Sequence, residues 1–418
     1  MAQTHKKLLI IGFVWPEPSS TAAGGRVLQL IQFFVQQNYQ VTFASTALET
    51  AFTLDLEALG VNKAKIILND IGFDVFIKKL KPQIVLFDRF MTEEQFGWRV
   101  AQHLPDTIRI LDTEDLHSLR YVREKAYRAG NPFSIKDWLH AEITKREVAS
   151  IYRSDLSLII SSYELKLLQR ELKIDDSLLL HLPFMLKEIT TVQTKKWTSF
   201  AQRTGFVCIG NGKHTPNIDA ILWLKEEIWP LIRSELPNEN LFVYGAYLPL
   251  NITQLHRPSE GFHIMGRAQN AMEVIGSARV SLAPLRFGAG IKGKLTDAMI
   301  TGTPSITTPI GAEGMHGNLP WAGEIAENTK AFAKAAISLY TDEANWHTVQ
   351  QNGIEIINSL YSAKKLGDML LRGIEELQNK LAEHRTKNFI GSLLQHHTTA
   401  STKYMAKWIE AKNKRSPE

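Results

Sequence analysis

Gly205-Phe-Val-Cys-Ile-Gly-Asn-Gly-Lys-His-Thr-Pro-Asn217 packs a strand, a loop and the start of a helix into thirteen residues. Phe206 to Ile209 is a short apolar run bounded by glycines, as expected of a strand buried on both faces. Gly210 to His214 reads as the loop. Thr215 and Pro216 predict the helix start, with threonine as the N-cap and proline at the first helical position, where its missing N–H costs nothing. Ile218, Ile221, Leu222, Trp229 and Ile232 then fall on one stripe and predict a single helix from Asn217 to Leu236. A strand, a loop and a crossover helix open a doubly wound parallel sheet.

The same alternation continues on both sides. Downstream, Leu241–Tyr244, Phe262–Met265 and Val280–Ala283 read as strands, and Ser305–Thr308 closes the series before a run of helices from about Thr329 to His384. Upstream, residues 187–204 lose periodicity and read as a connection. Before it the whole pattern has already occurred once: strand Lys7–Gly12, a loop holding Pro16, Pro18, Ser19, Ser20, Gly24 and Gly25, a helix with Val27, Leu30, Ile31 and Phe34 in phase, and strand Val41–Ala44. Ile84–Phe87, Ile108–Leu111 and Leu156–Ile160 extend that first series. The fold class expected is therefore α/β, with two Rossmann-like doubly wound domains facing a central cleft. Their spans are 1–190 and 200–384, followed by a helical tail over 385–418. Open sheets of this kind bind ligands at the carboxyl ends of their strands, which puts the site in the cleft.

The length of 418 residues suits two or three domains, and 44% hydrophobic with 22% charged residues is a globular composition. Mean hydropathy is −0.14. No apolar run approaches the roughly 18 residues of a membrane span. Lys6 and Lys7 before Leu8–Trp15 imitate an export signal, but the strand-loop-helix reading accounts for more of the same residues. A lone cysteine, Cys208, forms no intrachain disulfide, so a reducing, cytoplasmic setting is expected. The net charge of +5 is not diffuse. From Arg385 onward, Arg385, Lys387, Lys403, Lys407, Lys412, Lys414 and Arg415 outnumber Glu410 and Glu418 by five, which is the entire excess. A neutral body with a basic tail argues against a nucleic-acid partner.

The densest chemistry lies in Pro284-Leu-Arg-Phe-Gly-Ala-Gly-Ile-Lys-Gly-Lys-Leu-Thr-Asp297. A strand feeds a loop holding Gly288, Gly290 and Gly293, and a helix follows from Lys294. Amide groups at such a helix start attract anions, and glycines let a phosphate approach closely. Arg286, Lys292 and Lys294 add cations, and Asp297, one turn inside, suits sugar hydroxyls. The pattern fits a nucleoside diphosphate, against the plainer alternative of a tight turn with solvated lysines. It matches neither Walker A nor GxGxxG, which weakens kinase and dehydrogenase readings. A second constellation is Leu111-Asp-Thr-Glu-Asp-Leu-His117, after a predicted strand. A substrate-contacting His117 ranks first there, helix capping by Thr113 or Asp115 second, and a divalent-metal site at Asp112, Glu114, Asp115 and His117 third.

Together these motifs resemble the GT-B, family 4-type (glycosyl transferases group 1) retaining glycosyltransferases, particularly a subgroup with an FVGN-type strand, His-x-Pro-Asn and PLRFGxGIKxK. Here they read Phe206–Asn211, His214–Asn217 and Pro284–Lys294, with Thr308–Gly314 completing the set. Trp15–Gly25 matches the family's glycine loop and Asp112–His117 its loop histidine. The resemblance spans about residues 6–380. It implies a hexosyltransferase-type enzyme of polysaccharide biosynthesis that uses a nucleotide-sugar donor, a glycan or lipid-linked acceptor and no metal cofactor. His117 would contact the donor sugar, and Lys292 and Lys294 would neutralise the leaving diphosphate. Asp297 would hold the ribose. Arg286, Gly288, Gly290, Ile291, Asn211, His214 and Asn217 would complete the donor site, and the Gly24–Gly25 loop would face phosphates or acceptor across the cleft. Two positions depart from the family. Its Glu-x7-Glu pair becomes Ala289 and Asp297, and its usual Arg and Lys after the second domain's first strand become Asn211, Lys213 and His214. The departures at Ala289 and Asp297 keep a catalytically degenerate nucleotide binder open, and a UDP-sugar epimerase of the same architecture is a second alternative.

The tail carries Phe389, Ile390, Leu393 and Leu394 at helical spacing, then Tyr404, Met405, Trp408 and Ile409 opposite Lys403, Lys407 and Lys414. Packing back on the first domain is expected, with peripheral contact at the inner face of a membrane as an additional role for the basic stripe.

Overall fold

The computed structural model describes residues 6–396 with Tyr404, Met405 and Trp408. The first domain is a seven-stranded parallel sheet: β1 (Lys6–Gly12), β2 (Tyr39–Ser45), β3 (Asn62–Lys65), β4 (Ile84–Asp88), β5 (Ile108–Asp112), β6 (Leu156–Ile159) and β7 (Leu179–His181). Their spatial order is β3-β2-β1-β4-β5-β6-β7. The second is a six-stranded parallel sheet of β8 (Phe206–Ile209), β9 (Leu241–Tyr244), β10 (Phe262–Gly266), β11 (Val280–Ala283), β12 (Ser305–Thr307) and β13 (Gly323–Ile325), ordered β10-β9-β8-β11-β12-β13. Counting from each domain's own first strand, both begin 3-2-1-4-5-6, the doubly wound order. The fold is that of the two-domain GT-B proteins.

Three strands escaped the sequence pattern. β3 reads Asn-Lys-Ala-Lys and is an edge strand with polar, partly exposed side chains, so no apolar alternation marks it. β7 and β13 have three residues each, and β13 extends the second series past the point where Ser305–Thr308 was expected to close it.

The helices that matter to the site and its setting are α1 (Ala22–Gln36), α2 (Gly72–Leu80), α4 (His117–Arg128) after α3 (Phe90–His103), α5 (Glu142–Arg153), α6 (Ser162–Arg170), α7 (Thr215–Trp223), α8 (Trp229–Glu235), α9 (Gly293–Ile300), α10 (Ala363–Lys387) and α11 (Phe389–Gln395). α1 starts where the Thr21 hydroxyl accepts from the Gly24 amide at 2.9 Å, so Gly24 and Gly25 sit in its first turn, not in a loop. α7 corrects two further expectations. Its N-cap is His214, which puts Pro216 at the second helical position, and the Thr215 hydroxyl instead donates to Glu124 at 2.9 Å. The expected single helix to Leu236 is interrupted by a π-turn at Leu224–Ile228, where the Trp229 N–H reaches back to Leu224. Pro230 follows at once, and a residue without an N–H cannot continue the regular ladder.

Each sheet is covered on both faces by apolar side chains. Leu8, Ile10, Val27 and Leu30 share one cluster with Leu366, Leu370 and Ile374, so the chain has returned to the first domain by α10, ahead of residue 385. The two crossings are hydrogen-bonded to each other: Leu186 N–H donates to Tyr361 O at 2.7 Å, and Ala363 N–H donates to Leu186 O at 2.8 Å. α11 then lies on α5. Asn388 donates to Tyr152 O at 2.7 Å, Arg385 binds both Asp155 oxygens at 2.7 Å, and a Cβ at Gly391 would come within 2.2 Å of Tyr152 O. Phe389, Ile390 and Leu393 stay exposed. Of the expected amphipathic stripe beyond, Lys403, Lys407, Ile409, Lys412, Lys414 and Arg415 lie outside the described residues, and Tyr404, Met405 and Trp408 are exposed. Among the described residues no helix is long and apolar enough to cross a membrane.

Candidate functional site

Strand order reverses between β1 and β4 in one sheet and between β8 and β11 in the other. Loops leaving neighbouring strands diverge there and open a crevice at the carboxyl ends. The two crevices face each other across a cavity of about 660 Å³. First-turn residues of α1, α4, α7 and α9 all line it. The positive dipole ends of the four helices favour an anion in the cavity before any side chain is counted.

The second domain supplies the glycine loop and α9. Gly288 and Gly290 have φ of +148° and +66°, and a Cβ at Gly290 would approach the Asp115 Cβ to 2.7 Å. Lys292 is the N-cap of α9. Its ammonium donates to Gly290 O at 2.5 Å, and burial lowers its pKa to about 8 against the opposing pull of Glu313 and Glu164. Lys294 donates to Asn217 Oδ1 at 2.7 Å, and burial lowers its pKa also. Asn217 in turn donates to Asn211 O at 2.9 Å, and Asn211 donates to Ser20 O of the first domain at 3.1 Å. The Asp297 carboxyl faces the cavity with no hydrogen-bond partner among the described residues, and burial raises its pKa to about 7. An unpaired carboxylate and two lysines weakened by burial are a site arranged for charges that it does not itself contain.

The first domain supplies the turn before α4. The His117 Nδ1 lies 3.1 Å from both Asp115 O and Asp115 Oδ1. The hydrogen bond to the Asp115 carbonyl fixes the proton at Nδ1 and leaves Nε2 as an acceptor. Burial lowers the His117 pKa to about 4 despite Asp115, so the ring is neutral at pH 7. Behind it stand two buried carboxylates. Glu147 accepts the His117 and Ser118 amides at 2.8 and 3.0 Å, capping α4, and burial raises its pKa to about 7. Glu164 Oε1 accepts Leu116 N–H at 3.1 Å and Gly290 N–H at 2.7 Å. One oxygen thus ties the His117 turn to the glycine loop of the other domain. Arg123 makes a parallel tie, donating to Gly288 O at 2.9 Å and to both Glu313 oxygens at 2.7 and 2.9 Å.

Of the sequence-predicted residues, His117, Lys292, Lys294, Asp297, Gly288, Ile291, Asn211, His214, Asn217 and Gly25 line the cavity. Arg286, Gly290 and Gly24 do not. Arg286 turns away, bound to Asp219 at 2.7 and 2.9 Å and flanked by the Tyr127 and Trp223 rings, because an acid and two π-faces outside the cavity compete for it. Gly290 packs on Asp115, and Gly24 lies against the Glu17 backbone, so their lack of side chains serves close contact between segments. The metal reading of Asp112–His117 loses its ligands to guanidinium groups. Asp112 binds Arg26 at 2.7 to 3.0 Å, Glu114 binds Arg89 at 3.0 Å, and Asp115 is paired with Arg120. No group of three or more His, Cys, Asp or Glu among the described residues is placed to hold a metal ion.

Arg26, Arg89, Arg120 and Arg267 also line the cavity and were missed, as does Lys213, which the sequence singled out only as a departure from the family. Arg26 left a signal, standing in phase with Leu30 and Phe33 on an apolar helix face. Glu164, in phase with Leu167 and Leu168, left the same one. Charges on a buried stripe require partners. Arg89 left none, since it reaches the cavity through a backbone at φ +71°.

Residues 203–342, about a third of the chain, match the family model described as glycosyl transferases group 1. No curated protein sequence matches. Among solved structures, sucrose-phosphate synthase from Thermosynechococcus elongatus superposes with a TM-score of 0.64 at 14% identity, covering 89% of this chain and 99% of that one. A glycosyltransferase from Rickettsia africae gives 0.63 at 11% identity over 90% and 99%. HepE of Anabaena, in complex with UDP and glucose, gives 0.64 at 10% identity over 89% and 100%. At such identities the likeness is one of fold.

Proposed function

We propose that this chain is a glycosyltransferase that moves a sugar from a nucleotide-diphosphate donor to a hydroxyl of a glycan or lipid-linked acceptor, with retention and without a metal. The observation that carries the reading is convergence. His117 from one domain and Lys292, Lys294 and Asp297 from the other line one cavity, at helix N-termini that favour an anion, and the second domain matches glycosyl transferases group 1. A diphosphate at α9 would take the loop amides and both ammonium groups, restoring the charge that burial now disfavours on the lysines. Asp297 would accept from ribose hydroxyls. His117 Nε2 would accept from a donor-sugar hydroxyl.

No protein carboxylate is needed as a nucleophile if the leaving group departs from the face that the acceptor attacks. The bond from the anomeric carbon to the phosphate oxygen breaks, the bond to the acceptor oxygen forms on the same face, and the hydroxyl proton passes to the departing phosphate. The Lys292 and Lys294 charges stabilise that phosphate as its negative charge grows.

The test is a donor screen of UDP-, GDP- and ADP-sugars with mass-spectrometric detection of products, beside thermal shifts with UDP, GDP, ADP and NAD. Lys294→Ala is expected to abolish most turnover at an unchanged melting temperature. Stabilisation by NAD alone would defeat the reading. Ala289, which lines the cavity where the family has an acid, favours a second reading as a nucleotide binder that does not transfer. Nucleotide binding without product from any donor would select it.

A further inference from the structure

The carboxyl edge of the first sheet carries an apolar surface that the cleft does not use. Gly12, Ser45 and Lys65 form one registered row across β1, β2 and β3. Two or three residues beyond that row, each strand exits into exposed apolar side chains: Val14 after β1, Leu48 after β2, and Ile67 and Leu68 after β3. Leu48 is 79% exposed and Ile67 63%. Isolated exposed apolar residues are ordinary, but several at neighbouring strand ends mark a contact surface.

α2 begins at the same edge, and its outward face is graded. Ile71, the N-cap, and Val75 are 75% and 64% exposed and stand four residues apart, so they share one face, while Phe73 and Ile77 point into the core. Lys78 and Lys79, also exposed, continue that outer face about 12 Å further along the axis at its far end. Of the nearby acids, Asp74 is bound to Arg99 at 2.8 Å and Glu49 to Lys63 at 2.7 Å, while Asp70, whose carboxylate accepts the Gly72 amide at 2.7 Å, keeps its charge at the opposite end of the helix from the two lysines. An apolar tip with lysines one to two turns above it matches the depth profile of a bilayer interface, acyl chains below and phosphates above. A protein partner would not require that order along the helix.

We propose that this edge, formed by the segments after β1, β2 and β3 with the N-terminal half of α2, seats on an anionic lipid surface. Phe13, next to Val14, lines the cavity itself, so a membrane at this edge brings lipid headgroups to the mouth of the cleft. The surface is independent of the glycosyl-transfer reading. If that reading also holds, the seat selects membrane-anchored acceptors over free glycans.

The test is flotation of the full chain with vesicles of equal phosphatidylglycerol and phosphatidylcholine, and with phosphatidylcholine alone. Binding is expected only to the anionic vesicles. Ile67→Ser/Ile71→Ser/Val75→Ser and, separately, Lys78→Glu/Lys79→Glu should each weaken it about tenfold or more, with melting temperature and nucleotide-induced stabilisation unchanged. If one variant misfolds, the other carries the test. Absence of vesicle binding by the unmodified chain, or binding undiminished in both folded variants, would overturn the proposal; the latter would assign membrane contact elsewhere, as to the basic tail. Light scattering that shows a dimer lost in the triple variant would overturn it too, making the patch an interface between copies.

Discussion

Glu164→Ala is the most informative single change in the site. The carboxylate is fully buried, and its Oε1 is the acceptor for Leu116 N–H and Gly290 N–H, one from each domain. Removing it strands two buried amides at roughly 1 to 3 kcal/mol each, partly offset because a buried carboxyl no longer has to be desolvated. A net loss of about 2 to 4 kcal/mol corresponds to a fall of about 2 to 5 °C in melting temperature for a chain of this length that unfolds as one unit. Glu164→Gln should behave differently. Burial and the neighbouring Asp115 push the Glu164 pKa up to about 8, so at pH 7 the native side chain is largely the neutral acid, which a glutamine mimics while keeping the accepting oxygen. The pH dependence follows from the sign of that shift. A carboxyl protonated more strongly when folded contributes stability that is full below its ordinary pKa and is lost as pH rises towards 8, so the native chain should lose stability relative to Glu164→Gln between about pH 4.5 and 8. Thermal and urea unfolding of the three proteins at pH 5, 7 and 8.5 measures this, with UDP affinity alongside. The reasoning fails if Ala and Gln variants are equally destabilised, or if the native chain gains on the Gln variant as pH rises.

Three further outcomes are expected. Asp297→Asn should stabilise the ligand-free chain at pH 8 and weaken nucleotide binding, because burial raises the Asp297 pKa to about 7 and its ionised form lowers stability as pH rises from about 4 to 7; a lower melting temperature at pH 8 would contradict the unpaired-carboxylate assignment. The pH profile of turnover should contain no inflection from His117 near 6.5, since burial holds its pKa at about 4, and an inflection there that vanishes in His117→Gln would refute the neutral ring. EDTA should leave turnover largely intact, and loss restored by magnesium or manganese would return the metal reading to Asp112–His117.

Sequence determined what depends on local order. Apolar runs such as Phe206–Ile209 and Ile84–Phe87 could only be buried strands, and their alternation with helical stripes fixed two doubly wound halves and a cleft. The loop Pro284–Asp297 was legible because glycines, lysines and a helix start in succession bring groups suited to an anion together within one segment. β3 was not legible, because an edge strand of Asn-Lys-Ala-Lys is held by backbone hydrogen bonds to β2 and not by an apolar pattern.

Only tertiary structure decided which charges face the cavity. Arg286 lies in the Pro284–Asp297 motif yet binds Asp219 outside the cavity, whereas Arg26 and Arg89, far away in sequence, line the cavity. Pairing depends on which long side chains meet in space and on how much water each loses, and neither quantity is written in residue order. The same holds for Glu164, which sits 126 residues from the amide it accepts across the domain boundary. The sequence placed a glycine loop in one half and a histidine turn in the other. Folding set them against a shared buried oxygen, because a buried amide on either side has to find an acceptor.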